Sequence, residues 1–306
     1  MSTVEVETSA RPPTHRAPAG LSAAAIEARA RVRRARSKAI WFWAERLTLL
    51  AVGVIVMFPI VWMVMTAFKP VSAVYVFTAW FEPTLNSFRE IFNPRWRIAE
   101  KLTNSIVIAV ATVAISTPIA VAASYAFSRL EFPFRRAMFQ WILLTQFIPG
   151  VTIILPFYVM FRQIGLLDTR LALIIVDLAI VLPYAIWTIK GFIDAIPLET
   201  EEAAIIDGAS RLRVLWDIVV PMAAPGIITA AIFSFIVAWN EFLFAFLLTR
   251  QDAVPLSVGI VGFILERGPL WELIAATGII ITVPMFFFAL IIQRHFTKGM
   301  SVGAVR

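Results

Sequence analysis

Apolar segments of about 20 residues constrain this chain more than any other feature, because a helix of that length crosses about 30 Å of hydrocarbon. Such segments run from Leu47 to Phe68, Asn104 to Phe127, Met138 to Phe161, Leu171 to Ile189, Gly226 to Leu248, and Leu270 to Ile292. Charged residues make up only 15% of the chain, against about 25% in soluble domains. We therefore predict an all-α integral membrane protein with six transmembrane helices.

The basic residues predict how this bundle is oriented. Arginines and a lysine crowd the segment before the first span, at Arg29, Arg31, Arg33, Arg34, Arg36 and Lys38. Three more, Arg129, Arg135 and Arg136, lie between the second and third spans. Since positively charged segments stay on the cytoplasmic side of a membrane, both termini and the long connection over 190–225 are predicted to be cytoplasmic.

The chain divides into a basic N-terminal extension over 1–46, a transmembrane domain over 47–293 and a cytoplasmic C-terminal tail over 294–306. The first part of the extension is predicted to be disordered, because it is rich in proline, arginine and serine. From Ala23 onward the residues favour a helix, which either lies on the membrane surface or forms a solvated tail. The net charge of +7, concentrated beside a span, favours anionic lipid over nucleic acid as a partner.

The connection over 190–225 contains the segment IPLETEEAAIIDGASRLRVLWDIVVPMAAPG, which starts at Ile196. Pro197 suits the first position of a helix, and the glutamates after it suit its positive end. Gly208 is predicted to end this helix in the left-handed conformation. A second short helix is predicted to begin with Ser210 as its N-cap and to stop at Pro221.

One side of the first short helix carries small residues. Ala203 and Ala204 leave this side narrow enough to enter a groove, with Ile205 and Ile206 beside them for burial and Glu202 free to meet a basic partner. The two helices are therefore predicted to project as a docking element.

This segment resembles the EAA motif of ABC importer permeases, in which Glu-Ala-Ala, three residues, Gly, nine residues and Ile-x-Leu-Pro follow one another. Six residues match at that spacing, namely Glu202, Ala203, Ala204, Gly208, Ile218 and Pro221. Val220 stands in place of the leucine. The resemblance covers residues 45–306 and is strongest to the MalG-like branch, the binding-protein-dependent permeases for carbohydrate uptake.

Further stretches support this resemblance, including Asn104-Ser105, SYAFSRLEFPFRR, the AWNEF segment from Ala238 and the terminal KGMSVGAVR. Two positions depart from the family pattern. Phe134 stands where the family usually has glycine, and the chain ends in Val305-Arg306 where the family often ends in Lys-Gly. The extension over 1–46 lies almost entirely outside the resemblance.

The resemblance implies the fold of a type I ABC importer transmembrane domain in the bacterial inner membrane. It implies four partners: a MalF-like second permease subunit, two ATP-binding-cassette ATPase subunits and an extracytoplasmic sugar-binding protein. ATP and magnesium then belong to the ATPase subunits, and this chain binds no cofactor or metal and has no catalytic residues. The residues implied in coupling to the ATPase are Glu202, Ala203, Ala204, Asp207 and Gly208. The substrate classes implied are maltose-like or trehalose-like disaccharides, other oligosaccharides and glycerol 3-phosphate.

Three polar residues inside the predicted spans are candidates for the pore or the subunit interface, because a carboxylate at that depth is costly without a partner. Asn240 and Glu241 either line the translocation path or the interface, or bond structurally to a neighbouring helix. Asp177 is a candidate for binding sugar hydroxyls, for capping backbone freed by Pro183, or for pairing with the partner subunit.

Two other functional classes are alternatives. A secondary active transporter needs several ionisable residues within its spans for ion coupling, and only Asp177 and Glu241 qualify here. An intramembrane enzyme needs paired carboxylates, a serine-histidine pair or a metal cluster. The chain contains no cysteine, and its two histidines, His15 and His295, lie near opposite ends of the sequence.

Overall fold

The computed structural model describes the backbone of residues 23–303 and the side chains of residues 38, 41–288 and 290. Within that range the helices are α1 (Ala23–Phe68), α2 (Val71–Val74), α3 (Asn86–Ile91), α4 (Ile98–Arg129), α5 (Arg135–Leu144), α6 (Gly150–Gln163), α7 (Arg170–Asp194), α8 (Leu198–Ile206), α9 (Arg211–Val214), α10 (Val220–Asn240), α11 (Leu243–Leu248), α12 (Leu256–Gly259) and α13 (Trp271–Gly303). Two short antiparallel strands, β1 (Ile264–Leu265) and β2 (Gly268–Pro269), form a hairpin. The predicted disorder of the N-terminal extension falls mainly on residues outside this description.

The chain falls into two units, residues 1–61 and 62–306. In the first unit, α1 begins at Ala23, where the sequence predicts helix. Every residue from Trp41 to Val61 is exposed, and most of them are apolar. A helix that is apolar all round and exposed suits contact with lipid hydrocarbon.

Five helical segments between residues 23 and 303 are long and apolar enough to cross a membrane, and a bent pair makes a sixth. The five are Trp41–Phe68, Ile98–Arg129, Arg170–Asp194, Arg211–Asn240 and Trp271–Phe288. The predicted all-helical membrane fold is confirmed.

The third predicted span is not one straight helix. Arg135–Phe147 and Gly150–Gln163 meet at an angle of 97°. Pro149 lies at the break, and Ile148 before it adopts an extended backbone. A proline disfavours the helical conformation of the residue before it and lacks an N–H for the helical ladder, so the helix ends and restarts here.

The predicted end of a short helix at Pro221 is wrong. One helical segment of 30 residues continues from Arg211 through Pro221 to Asn240. A π-helical turn over Leu215–Val219 ends two residues before Pro221. Such a wider turn is a common way to accommodate an interruption of the helical ladder. The segment then ends at Asn240, earlier than the predicted Leu248, because Glu241 takes an extended backbone.

The helices α4, α7 and α10 form the centre of the second unit. Their apolar core includes Ala120, Ile189, Ile193 and Ala223, and the end of this core near α8 is closed by Val214 and Val219. We call the end of the bundle that carries Arg129, Asp194 and α8 the loop end.

The opposite end, which we call the far end, is held by polar contacts to the segment after α11. The carboxylate of Asp168 accepts hydrogen bonds from the backbone N–H groups of residues 250–253, at 3.0 to 3.2 Å. Asn104 on α4 donates to the carbonyl oxygens of Asp252 and Val254, at 2.9 and 3.0 Å. The hydroxyl of Ser105 accepts from the Leu256 N–H at 2.8 Å. The far end of α4 is therefore tied to residues 252–256.

Candidate functional site

The helix α8 forms the candidate site at the loop end, and its sequence explains where it starts and ends. Glu199 and Glu201 lie in its first turn, where carboxylates stabilise the positive end of the helix. At its other end, Gly208 has φ +90°. The N–H of Gly208 donates to the Ile205 carbonyl and the N–H of Ala209 to the Ala204 carbonyl, both at 3.0 Å. These two bonds form a Schellman motif, and Gly208 is its left-handed residue, as predicted.

Ser210 then starts the next helix as predicted. Its Oγ accepts a hydrogen bond from the Arg213 N–H at 3.4 Å. Because the left-handed Gly208 follows α8 and Ser210 caps α9, only Ala209 lies between these two turns of the chain. The direction of α8 is therefore fixed by backbone bonds at its C-terminal end.

The outer face of α8, which we define as Leu198, Glu202, Ile205 and Ile206, is exposed. Ile206 is 84% exposed. Leu212 of α9 and Trp216, just after α9, are exposed as well. Contiguous exposed apolar residues with a charged residue among them are typical of a protein-binding surface.

The predicted coupling residues divide between two sides. Glu202, Ala203, Asp207 and Gly208 are exposed. Ala204 instead packs against the core formed by α4, α7 and α10. The EAA-type sequence thus supplies one alanine to the chain's own core and leaves its glutamate on the surface.

Glu201 is the most strongly bound acid of α8, and it is not among the predicted coupling residues. Its Oε1 accepts a hydrogen bond from Arg129 Nε at 2.6 Å, and the two side chains are only 6% and 8% exposed. The sequence contains one signal that Glu201 faces inward with Ala204. The two residues are three apart, and residues at that spacing lie on the same side of a helix.

Arg129, the last residue of α4, also holds the end of α7. Its Nη2 donates to the carbonyl oxygens of Ile193 and Ile196, both at 2.8 Å. Next to it, the Ser128 hydroxyl donates to Asp194 Oδ1 at 2.6 Å. Arg129 therefore joins α4, α7 and α8.

The candidate pore residue Glu241 lies where α10 ends. Its two carboxylate oxygens accept from the backbone N–H groups of Phe244 and Ala245, each at 2.8 Å. These are bonds of a residue that caps the start of α11. Asn240 is exposed, and its Nδ2 donates to the Ile236 carbonyl at 2.8 Å.

Asp177 is 1% exposed on α7, and its Oδ2 accepts no hydrogen bond from the described residues. It shares a cavity of about 10 Å³ with Glu241 and Ser105. A cavity of this size has room for about one water molecule. The structure thus brings Asp177 and Glu241 together in a space far smaller than a sugar ring.

Among the described residues, no group of three or more His, Asp or Glu side chains is arranged to hold a metal ion.

Comparisons with known proteins identify the family of this chain. Residues 116–302 match the family described as binding-protein-dependent transport system inner membrane component, and the match includes the whole segment over 190–225. The chain is 36% identical over 272 residues to the trehalose transport system permease protein SugB of Mycobacterium tuberculosis, covering 87% of this chain and 97% of that protein. It is 30% identical over 259 residues to the trehalose/maltose transport system permease protein MalG of Thermococcus litoralis, covering 83% and 93%.

A solved structure shares the fold. It belongs to a bacterial ABC transporter involved in the import of the acidic polysaccharide alginate. The TM-score is 0.75 at 23% identity, and the alignment covers 85% of this chain and 98% of that one.

Proposed function

Because this chain belongs to the family of binding-protein-dependent transport system inner membrane components, we propose that it is a transmembrane permease subunit of an ATP-driven ABC importer for sugars. The observation that carries the proposal is the exposed outer face of α8, which displays Glu202 of the EAA-type sequence beside Ile206. The sugar assignment is supported by the relatives that transport trehalose or trehalose and maltose. The cargo is a maltose-like or trehalose-like disaccharide, another oligosaccharide, or glycerol 3-phosphate.

The proposed role of α8 is to receive an ATPase subunit. Ile206 supplies apolar surface and Glu202 supplies charge for a basic residue of the partner. When nucleotide closes the two ATPase subunits, α8 moves as a rigid body and reorients the pore. Hydrolysis itself takes place in the ATPase subunits, with their ATP and magnesium. This chain then contributes half of the pore, beside a MalF-like second permease subunit.

The proposed orientation places the loop end and both termini in the cytoplasm and the far end outside. An extracytoplasmic sugar-binding protein then meets the far end and delivers substrate. Basic residues near the loop end support this orientation, among them Arg135, Arg136 and Lys190.

Sugar uptake by the complete importer in proteoliposomes tests the proposal. We expect uptake that requires enclosed ATP and the loaded binding protein, and that persists after a proton or sodium ionophore collapses the ion gradients. Uptake that survives without ATP but stops with the ionophore would assign the chain to the secondary transporters instead. A panel of disaccharides, oligosaccharides and glycerol 3-phosphate, tested on the cognate binding protein, identifies the cargo.

A further inference from the structure

We propose that Arg129 and Glu201 form the joint that transmits movement of α8 to α4. This inference rests on the proposed function, in which the outer face of α8 receives the ATPase subunit. Along the chain, α8 connects only to α7 and α9. The ion pair adds a direct connection to a third helix, and both residues are positioning residues for coupling.

The geometry of the pair suits the transmission of a movement. The Nε to Oε1 distance is 2.6 Å, and both side chains are almost completely buried. Separating two buried, oppositely charged groups is strongly unfavourable, because neither group gains the solvation that an exposed pair would gain. A displacement of α8 therefore moves Arg129 with it.

The guanidinium is also fixed in direction. While Nε binds Glu201, Nη2 binds the carbonyl oxygens of Ile193 and Ile196 at the end of α7. Arginine can bind on several sides at once because its donors are held in a rigid plane. The joint thus clamps α8 against α4 and α7 in one arrangement.

The helix α4 can carry the movement to the far end. It has 32 residues and is about 48 Å long. Asn104 and Ser105, near its start, bind residues 252–256. One helix is therefore bonded at one end to the proposed docking element and at the other to the segment that would face the binding protein.

The adjacent glutamates of α8 have different tasks in this arrangement. Glu202 is exposed and available for the ATPase subunit, whereas Glu201 is turned inward to Arg129. Loss of Glu202 therefore affects docking, and loss of the Arg129–Glu201 pair affects the transmission of movement after docking.

The test compares docking and stimulation in the complete importer, reconstituted with its partner permease, ATPase subunits and binding protein. The variants are Glu201→Gln, Arg129→Gln and the double variant, with Glu202→Ala as the docking variant. Glu131→Gln and Arg136→Gln are charge controls, because both residues are exposed near the loop end. One readout is the ratio of ATPase subunits that co-purify, and the other is the stimulation of ATP hydrolysis by the loaded binding protein.

We expect Glu201→Gln to retain the ATPase subunits but to lose stimulation by about tenfold, as for the loss of a hydrogen bond to a charged group. The double variant should be stimulated better than Arg129→Gln, because it leaves no buried carboxylate without a partner. Both controls should behave like the unchanged protein.

Full stimulation of Glu201→Gln would overturn the joint. So would a loss of ATPase subunits from this variant in proportion to its loss of stimulation, because the pair would then only hold the docking surface in shape. The docking role of Glu202 is tested separately, by the decrease in co-purifying ATPase subunits in the Glu202→Ala variant. If Arg129→Gln fails to accumulate in the membrane, Glu201→Gln decides the question alone.

Discussion

Substitution of Gly208 tests whether the end of α8 depends on the left-handed backbone. Its φ is +90°, and a Cβ added there would meet no atom within 4 Å. The effect of a side chain therefore comes from the backbone conformation and not from a clash. A non-glycine residue in the left-handed region costs about 1–2 kcal/mol, and the β-branched side chain of Gly208→Val should reach or exceed the upper end of that range. Gly208→Asn should cost less, since asparagine tolerates this conformation.

A free energy of about 1–2 kcal/mol changes an equilibrium about 5- to 30-fold. We expect Gly208→Val to shift the balance between a correctly ended and a frayed α8 by that factor. Substrate-stimulated ATP hydrolysis of the reconstituted importer should fall accordingly, while the amount of protein in the membrane stays normal. Because this exposed turn can fray locally without opening the transmembrane core, thermal unfolding in detergent should change little.

Gly191 provides a matched control for this experiment. A Cβ added there also meets no atom within 4 Å, but Gly191 lies inside α7 and lacks a left-handed φ. Gly191→Ala should therefore stabilise the protein by about 0.5–1 kcal/mol. Equal effects of Gly208→Val and Gly208→Asn would show that α8 does not depend on the left-handed backbone, as would loss of stimulation in Gly191→Ala.

Three further predictions concern packing, acid stability and orientation. A Cβ on Gly226 would lie 2.3 Å from a ring carbon of Phe192, so Gly226→Ala should lower the free energy of unfolding by about 1–3 kcal/mol, and Phe192→Leu should relieve part of that loss. Burial opposes ionisation of Asp168, but backbone N–H groups of residues 250–253 hold its pKa below the usual value. The ionised Asp168 therefore stabilises the fold above about pH 4, and this stabilisation is lost as the pH falls through the lowered pKa. Asp168→Asn should lower the melting temperature at pH 7 and should remove the part of the acid-induced loss of stability that Asp168 causes. Ser210→Cys, in a chain without cysteine, should resist a membrane-impermeant thiol reagent in intact cells stripped of their walls, and labelling there would reject the orientation.

The helix end and the helix cap in the segment over 190–225 could be predicted from sequence because both are formed by backbone conformation and backbone hydrogen bonds. Gly208 has the left-handed φ that was predicted, and Ser210 caps the next helix. Both depend on neighbours within a few residues, which a sequence displays directly. The role of Glu201 could not be predicted in this way, because its partner Arg129 is 72 residues away in the sequence. The EAA-type motif, moreover, contains Glu202 and not Glu201.

The breaks inside apolar segments were also difficult to predict. Hydropathy treats Met138–Phe161 as continuous, although Pro149 divides it. The proline at position 221 predicts a helix end, although a π-helical turn lets the helix continue. Glu241 was read as a residue within a span, yet its carboxylate caps α11. In each case the outcome depends on which backbone groups find partners, and composition does not contain that information.

The stimulation of ATP hydrolysis by the loaded binding protein tests whether α8 couples this chain to its ATPase. It is measured on the reconstituted importer carrying Glu202→Ala, with Glu131→Ala as the control, since both are exposed glutamates at the loop end. We predict that Glu202→Ala reaches the membrane normally, binds the ATPase subunits about tenfold more weakly, and loses stimulation and sugar uptake together. Normal binding and full stimulation of Glu202→Ala would contradict the assignment of α8 as the element that couples this chain to its ATPase.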